Sequence, residues 1–101
     1  MITVDRDKNL EKCLKHLPND IVEGIETVLQ ILQENPKDPR LKSHPVQNSN
    51  RGSHRRGSIS IRYTRQYRVL YVPDNAFDTT QATVYWAGSH AQFDALTGMK
   101  S

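Results

Sequence analysis

The sequence of 101 residues lacks several features that would restrict its function directly. It contains one cysteine, Cys13, so no internal disulfide can form and a reducing compartment is expected. No apolar run approaches the ~18 residues that a membrane span requires, and the N-terminus has no signal-peptide pattern. The histidines and the cysteine show no metal-ligand spacing, so neither a metal nor another cofactor is expected. These absences favour a cytoplasmic protein that does not contact a membrane.

Acidic residues are missing from the middle of the chain. No Asp or Glu occurs from residue 39 to residue 73, whereas residues 40–73 hold eight Lys or Arg. The formal net charge of +3 at pH 7 therefore conceals a strongly basic segment between two acidic ones. Such segregation indicates a surface for a polyanion, most simply a nucleic acid, with a solvated basic face as the alternative.

Two segments with helical periodicity occupy residues 5–35, and each is followed by a proline. The first carries an apolar stripe of Leu10, Leu14 and Leu17. The second is predicted to begin at Asn19 as N-cap and to bury one face, formed by Ile21, Ile25, Val28 and Leu32. Gly24 lies inside this second helix, where it costs about 1 kcal/mol relative to Ala, and indicates a close crossing with the first helix or with a sheet.

Strand patterns follow in the second half of the chain. Residues 58–63 (SISIRY) alternate strictly, residues 64–66 form a turn, and residues 67–72 (YRVLYV) and 82–88 (ATVYWAG) read as further strands. Val84 and Trp86 are predicted to share one face of the last strand. Residues 37–57 read as a loop with one short strand, residues 1–4 as a short first strand, and the tail from residue 89 as too short for a stable helix alone.

The order of these elements predicts an α+β fold. An N-terminal αα-hairpin is expected to pack on one face of a small antiparallel sheet, and the other face is expected to be open and basic. Arg62 is predicted to point into that open face, together with Ser58 and Ser60.

Three stretches of the sequence resemble one protein family. NPKDPRLKSHPV, GSISIRYTRQYRVLYV and VYWAGSHAQFDAL are similar to the RelE/HigB/YoeB-type toxins of bacterial type II toxin–antitoxin systems, within the RelE/ParE superfamily. The similarity spans nearly the whole chain, and its specific parts are YRVLY and WAGSHAQFD. It implies that residues 1–101 form a single toxin domain with a RelE-like fold.

The resemblance also implies an activity, which is metal-independent cleavage of mRNA, usually on the ribosome. The RNA 2′-hydroxyl attacks the adjacent phosphate, so the enzyme must move protons and stabilise a negatively charged phosphorane. Arg68 falls where the family places its transition-state-stabilising arginine, and His90 falls where many members place an acid or base. Arg62 is the expected third catalytic residue. The implied partners are a cognate antitoxin encoded nearby, mRNA and the ribosome.

Further residues are candidates for contacts with the substrate. These are His54, Arg55, Arg56, Ser58, Ser60, Arg65, Phe93 and Asp94. Two of the positions depart from the family pattern. Relatives carry ionisable residues where this chain has Ser58 and Ser60, and they often carry Tyr where it has Phe93, which can stack on a base but cannot transfer a proton.

Two other functions stay open on the sequence alone. A ParE-like protein shares the fold but inhibits DNA gyrase by binding, without nuclease chemistry. A degenerate relative would bind an antitoxin and cleave nothing. Arg68 together with the Gly-Ser-His ending favours the nuclease, whereas the two serines and Phe93 keep the degenerate relative possible.

Overall fold

The computed structural model describes residues 1–46, 54–75 and 77–98. Within these residues, five strands form one sheet in the order β1-β5-β4-β3-β2, and three helices and a short 3-10 turn at Pro39–Leu41 accompany it. The elements in chain order are β1 (Thr3–Arg6), α1 (Lys8–Leu14), α2 (Asn19–Glu34), β2 (His44–Pro45), β3 (Ile59–Tyr63), β4 (Tyr67–Pro73), β5 (Gln81–Ser89) and α3 (His90–Thr97).

The predicted α+β class, with an αα-hairpin on one face of the sheet, is confirmed. Neighbouring strands run antiparallel except for β1, which lies parallel to β5 and makes the sheet mixed. The short strand expected between residues 37 and 57 is β2, which pairs with β3 at one edge. The part of that segment at residues 47–53 lies outside the described residues.

The two N-terminal helices start in different ways. The carboxylate of Asp7 caps α1 by accepting a hydrogen bond from the Asn9 backbone N–H at 3.2 Å. The predicted N-cap at Asn19 of α2 is wrong, because the carbonyl of Pro18 already accepts the first helical bond, from Val22, at 3.0 Å. Within the described ranges, no helix is both long and apolar enough to cross a membrane.

The main core lies between the αα-hairpin and the sheet. The predicted apolar stripe is buried there at Leu10, Leu14, Ile25, Val28 and Leu32. From the sheet it meets Ile61, Val69, Tyr71, Ala82, Val84 and Ala87. Full burial of an aliphatic side chain contributes about 1.5–3 kcal/mol, so this layer holds the hairpin and the sheet together.

Gly24 marks the closest approach of α2 to the sheet. A Cβ at this position would overlap the hydroxyl and ring of Tyr63, at the end of β3. The expected close crossing is therefore with the sheet, and Tyr63 packs against the main core.

A bulge in β5 changes which residues share a face. Leu70 of β4 lies opposite Trp86, but the next residue, Tyr71, lies opposite Val84, so Tyr85 is an extra residue. The prediction that Val84 and Trp86 share a face is wrong for this reason. Val84 enters the main core, whereas Tyr85 and Trp86 belong to a smaller cluster on the opposite face of the sheet.

The tail after β5 forms the helix α3, which the sequence patterns did not predict. Ser89 and Gln92 form a reciprocal capping box, with the Ser89 hydroxyl accepting from the Gln92 N–H and the Gln92 side chain accepting from the Ser89 N–H. Phe93 and Leu96 pack against the smaller cluster. The helix therefore covers part of the face that was expected to be open.

Candidate active site

The end of the β3–β4 hairpin brings two arginines face to face. Arg62 and Arg68 are direct cross-strand partners, so their side chains leave the sheet on the same side. Like charges directly opposite each other destabilise a sheet. Among the described residues, no carboxylate lies within ion-pair distance of either arginine or of Arg65 in the turn. This pair of cations is therefore available to an anion from outside the chain.

Arg68 is held in place by the turn that precedes it. Its Nη1 donates to the carbonyl oxygens of Tyr67 at 3.0 Å, Thr64 at 3.3 Å and Arg65 at 3.4 Å. Thr64 adopts a left-handed conformation, with φ of 58°, where the turn reverses the chain.

The surroundings of Arg68 disfavour its positive charge. Burial lowers the pKa of its guanidinium, the charge of Arg62 lowers it further, and the carboxylate of Asp94 acts in the opposite direction. An arginine stays protonated in proteins, so the lowered pKa does not discharge it. A phosphate beside Arg68 would offset both unfavourable effects.

His90 is brought to the same place by the start of α3. Its backbone N–H donates to the carbonyl of Gln66 in the hairpin turn at 2.5 Å. Its Nδ1 lies 3.3 Å from Oδ2 of Asp94, one helical turn later. The side chain of His90 remains 42% exposed, so a substrate can reach it.

These groups line one open cleft of about 380 Å³. Its walls include Arg62, Arg65, Gln66, Arg68, Ser89 and His90. The structure thus brings together the three residues predicted to be catalytic. An arginine pair can hold the oxygens of a phosphate, and a histidine can transfer a proton near neutral pH.

Arg55 does not carry the free charge expected for it. Its guanidinium lies 3.0 Å from the carboxylate of Asp7 and 4.6 Å from the centre of the Tyr85 ring. Arg55, a candidate substrate contact, is therefore paired with an acidic residue of the chain itself. Both partners of the ion pair are partly exposed, so its contribution is at most about 1 kcal/mol.

Ser58 and Ser60 do not line an open surface. Ser58 is 1% exposed and Ser60 is 7% exposed. The hydroxyl of Ser58 donates to the carbonyl of Arg55 at 2.5 Å and lies 2.6 Å from the Tyr85 hydroxyl. The expectation that both serines line an open face is contradicted, because both are buried, although Ser60 does lie on the same side of β3 as Arg62.

The remaining basic candidates are separate from the cleft or at its edge. Arg65 is exposed in the hairpin turn and lines the cleft, and Arg56 is exposed in the segment before β3. His54 is partly buried, and its Nδ1 has no hydrogen-bond partner among the described residues. Neither His54 nor Arg56 lines the cleft.

Phe93 packs inward. Its ring centre lies 6.3 Å from that of Trp86 at an interplanar angle of 49°, and both rings belong to the smaller cluster. The expected stacking on a base stays a prediction, but the observed packing already accounts for this residue. Phe93 anchors α3, and α3 begins at His90.

Other clefts lack this combination of groups. One of them, of about 750 Å³, has walls that include Met1, Pro36, Lys42, Phe77 and Thr80, and neither Arg68 nor His90 lines it. Among the described residues, no group of three or more His, Cys, Asp or Glu side chains is placed to hold a metal ion.

Three features of the site were missed in the sequence. The carbonyl of Gln66 fixes α3, the capping box starts it, and the Tyr85 bulge turns Trp86 and Tyr85 toward it. The capping box has a readable signal, Ser-x-x-Gln at residues 89–92. The Gln66 contact and the bulge have no such signal in the sequence, because both depend on the pairing register of neighbouring strands.

Solved structures share this fold. The toxin–antitoxin complex RelBE2 from Mycobacterium tuberculosis superposes with a TM-score of 0.64 at 22% identity, over 88% of this chain and 98% of that one. YafQ from Escherichia coli superposes with a TM-score of 0.67 at 14% identity, over 92% of this chain and 98% of that one. The archaeal RelE–RelB complex from Pyrococcus horikoshii superposes with a TM-score of 0.66 at 15% identity, over 90% of this chain and 97% of that one. The chain therefore has the fold of RelE-type toxins.

Sequence comparisons add no closer relative. No family model matches the chain, and no curated protein sequence matches it significantly.

Proposed function

We propose that this protein is the toxin of a type II toxin–antitoxin system and that it cleaves mRNA in the cytoplasm without a metal ion. The observation that carries the proposal is the cleft in which Arg62 and Arg68 stand opposed, without a carboxylate at ion-pair distance among the described residues, beside His90. The fold shared with RelE-type toxins supports the class of protein.

The proposed reaction uses these groups in defined roles. The 2′-oxygen of one nucleotide bonds to the adjacent phosphorus, its proton passes to water, and the bond from phosphorus to the 5′-oxygen breaks. Protonated His90 gives a proton to that leaving 5′-oxygen. Arg68 and Arg62 stabilise the phosphorane, where negative charge is greatest. The products are a 2′,3′-cyclic phosphate and a free 5′-hydroxyl.

The proposed partners are an antitoxin encoded next to this protein and the translating ribosome. The RelBE2 and archaeal RelE–RelB structures are complexes of a toxin with its antitoxin. An antitoxin with carboxylates near the cleft would neutralise Arg62, Arg65 and Arg68, the three arginines that line it.

A second candidate function is inhibition by binding alone, as in a gyrase inhibitor or a degenerate toxin. One observation favours it. Among the described residues that line the cleft, His90 carries the one imidazole, and none of them carries a carboxylate or an amine. The cleft thus offers a proton donor but no second residue to accept the 2′ proton.

Expression in a bacterial host separates the two functions. Wild-type protein should arrest growth and degrade cellular mRNA while plasmid supercoiling stays normal. Arg68→Ala and His90→Ala should each relieve the arrest, because each removes a group that acts on the phosphate or the leaving oxygen. Lys15→Ala, which removes an exposed charge next to α1, is the matched control and should remain toxic.

Intact mRNA together with lost supercoiling would overturn the nuclease proposal in favour of gyrase inhibition. Circular dichroism and thermal melting of both alanine variants must show a folded protein. The antitoxin proposal is tested by co-expression, and it fails if no small neighbouring gene restores growth.

A further inference from the structure

We propose that Asp94 is a positioning residue for His90: its carboxylate holds the Nδ1–H of the imidazole and leaves Nε2 as the atom that meets the substrate. The role of this contact in catalysis rests on the proposed function. Which ring nitrogen of His90 carries the proton is argued from the geometry of α3 alone.

The contact lies at ion-pair distance and is partly sheltered. Nδ1 of His90 lies 3.3 Å from Oδ2 of Asp94, and the Asp94 side chain is 25% exposed. When the histidine is neutral, only one ring nitrogen carries a proton, and a carboxylate can only accept a hydrogen bond. Asp94 therefore selects the form with the proton on Nδ1, in which Nε2 is free.

The start of α3 fixes the backbone that carries the imidazole. The Ser89–Gln92 capping box fixes the first turn, and the Gln66 carbonyl holds the His90 N–H. Thr97 adds a bond from its hydroxyl to the Phe93 carbonyl at 2.9 Å near the other end. With the backbone fixed at both ends, the side-chain torsions of His90 decide where its ring points, and the Asp94 contact restrains them.

Helix stability does not explain the pair. A helix favours acidic side chains in its first turn and basic ones in its last turn. Here a histidine is the first helical residue and the aspartate comes four residues later, which is the less favourable order for an i,i+4 pair. Asp94 is also the one acidic residue that the sequence holds after residue 78.

Asp94 also acts on the arginines of the cleft. Its charge favours the charged form of Arg68, against the effects of burial and of Arg62. One carboxylate thus contacts His90 and favours the charge of Arg68, while no ion pair joins it to Arg68 among the described residues.

The state of the imidazole can be measured without any substrate. In the wild-type protein, ¹⁵N NMR at a pH where His90 is neutral should show the proton on Nδ1. In Asp94→Ala the Nε2–H form, which free imidazole side chains prefer, should dominate. Asp78→Ala removes the same charge from an exposed loop outside the cleft and should leave the His90 spectrum unchanged. Ala is a better helix former than Asp, so α3 should persist.

Cleavage kinetics supply the second measurement. Asp94→Ala should lower kcat about tenfold or more with KM nearly unchanged, since general acid catalysis contributes about 10²–10⁴-fold in total. Asp94→Glu should recover part of the loss. A rise in KM at constant kcat would show that Asp94 contacts RNA instead and would overturn the inference.

The two proposals fail in different ways. An unchanged His90 spectrum in Asp94→Ala overturns the positioning role, whether or not the protein cleaves RNA. A wild-type protein that cleaves no RNA overturns the proposed function, and the spectrum then still decides whether Asp94 sets the state of His90.

Discussion

Arg62 and Arg68 are opposed on adjacent strands, and this arrangement costs stability. Their cross-strand contact brings two positive charges together on one face, and burial of Arg68 adds to the cost. Active sites commonly retain such costs because the charges act on a ligand. Stability alone therefore does not explain why the chain keeps this opposed pair of charges.

Removing one of the two charges should therefore stabilise the fold. Arg62→Gln is expected to raise the free energy of unfolding by roughly 0.2–1 kcal/mol, since it relieves the repulsion on Arg68. Chemical denaturation measures the change. Arg65→Gln is the matched control, because Arg65 is exposed in the turn and has no opposed charge across the strands, and it should change stability by less.

A loss of stability in Arg62→Gln would contradict this account of the pair. It would mean that the arginine makes a net favourable contact in the folded protein. The same variant should bind RNA more weakly, so stability and binding are expected to change in opposite directions.

At the scale of elements, α2 packs closely against the end of β3 because residue 24 has no side chain. Gly24 in α2 lies against the ring of Tyr63 at the end of β3, and a Cβ would overlap that ring. A glycine within a helix otherwise costs about 1 kcal/mol relative to alanine. The close packing of Tyr63 explains why the chain carries glycine here.

A double-mutant cycle tests this fit. Gly24→Ala alone should destabilise the protein by more than about 1 kcal/mol, because Tyr63 must move. In a Tyr63→Ala background, Gly24→Ala should be neutral or stabilising by up to about 1 kcal/mol, as helix propensity then acts alone. Equal effects in both backgrounds would show that Tyr63 is not the cause.

The β4–β5 loop is organised by one carboxylate. Oδ1 of Asp74 accepts from the backbone N–H of Thr80 at 2.9 Å and of Gln81 at 3.0 Å, and Oδ2 accepts from the Thr80 hydroxyl at 2.5 Å. These bonds favour the charged form and lower the pKa of Asp74 from 3.8 to about 2.

The stabilising contribution of this loop should depend on pH in the range where Asp74 takes up a proton. The pKa of Asp74 is lower in the folded state, so its contribution is fully present above pH 4 and is lost as the pH falls toward about 2. Asp74→Asn should melt at a lower temperature than wild type at pH 6. The two melting temperatures should converge as the pH approaches 2, and a constant difference would contradict the assignment.

The sequence predicts the periodic elements well and the irregular ones poorly. The stripes from Leu10 to Leu32 and the alternation at Ile59 and Ile61 carry strong patterns, because burial repeats with the helical or strand period. The bulge at Tyr85 interrupts such a period, so Val84 and Trp86 were placed on one face incorrectly. α3 is short and depends on Ser89 and Gln66, and the second of these contacts is not visible in sequence.

The candidate site follows the same division. The hairpin residues Arg62 and Arg68 were both predicted for the site, Arg68 from the resemblance, and the strand register pairs them directly. The segment before β3 has no such period, and there Ser58 is buried and Arg55 is paired with Asp7. Its basic character was visible in the sequence, but the contacts of its individual residues were not.

At the scale of the whole molecule, the two faces of the sheet carry different groups. The αα-hairpin covers one face and provides the main core. On the other face, α3 and the smaller cluster occupy the middle, and the arginines and His90 stand at the end of the β3–β4 hairpin. Rigid elements thus position the charged groups, as a site that stabilises a transition state requires.

The central claim is that this cleft cleaves mRNA by attack of the 2′-hydroxyl. The most direct measurement is to express the protein, map the new mRNA 5′ ends relative to codons, and determine the chemistry of those ends. The account predicts new ends within translated regions, with a free 5′-hydroxyl, that disappear in Arg68→Ala and in His90→Ala. Unchanged mRNA ends during growth arrest, or ends that persist in both folded variants, would contradict it.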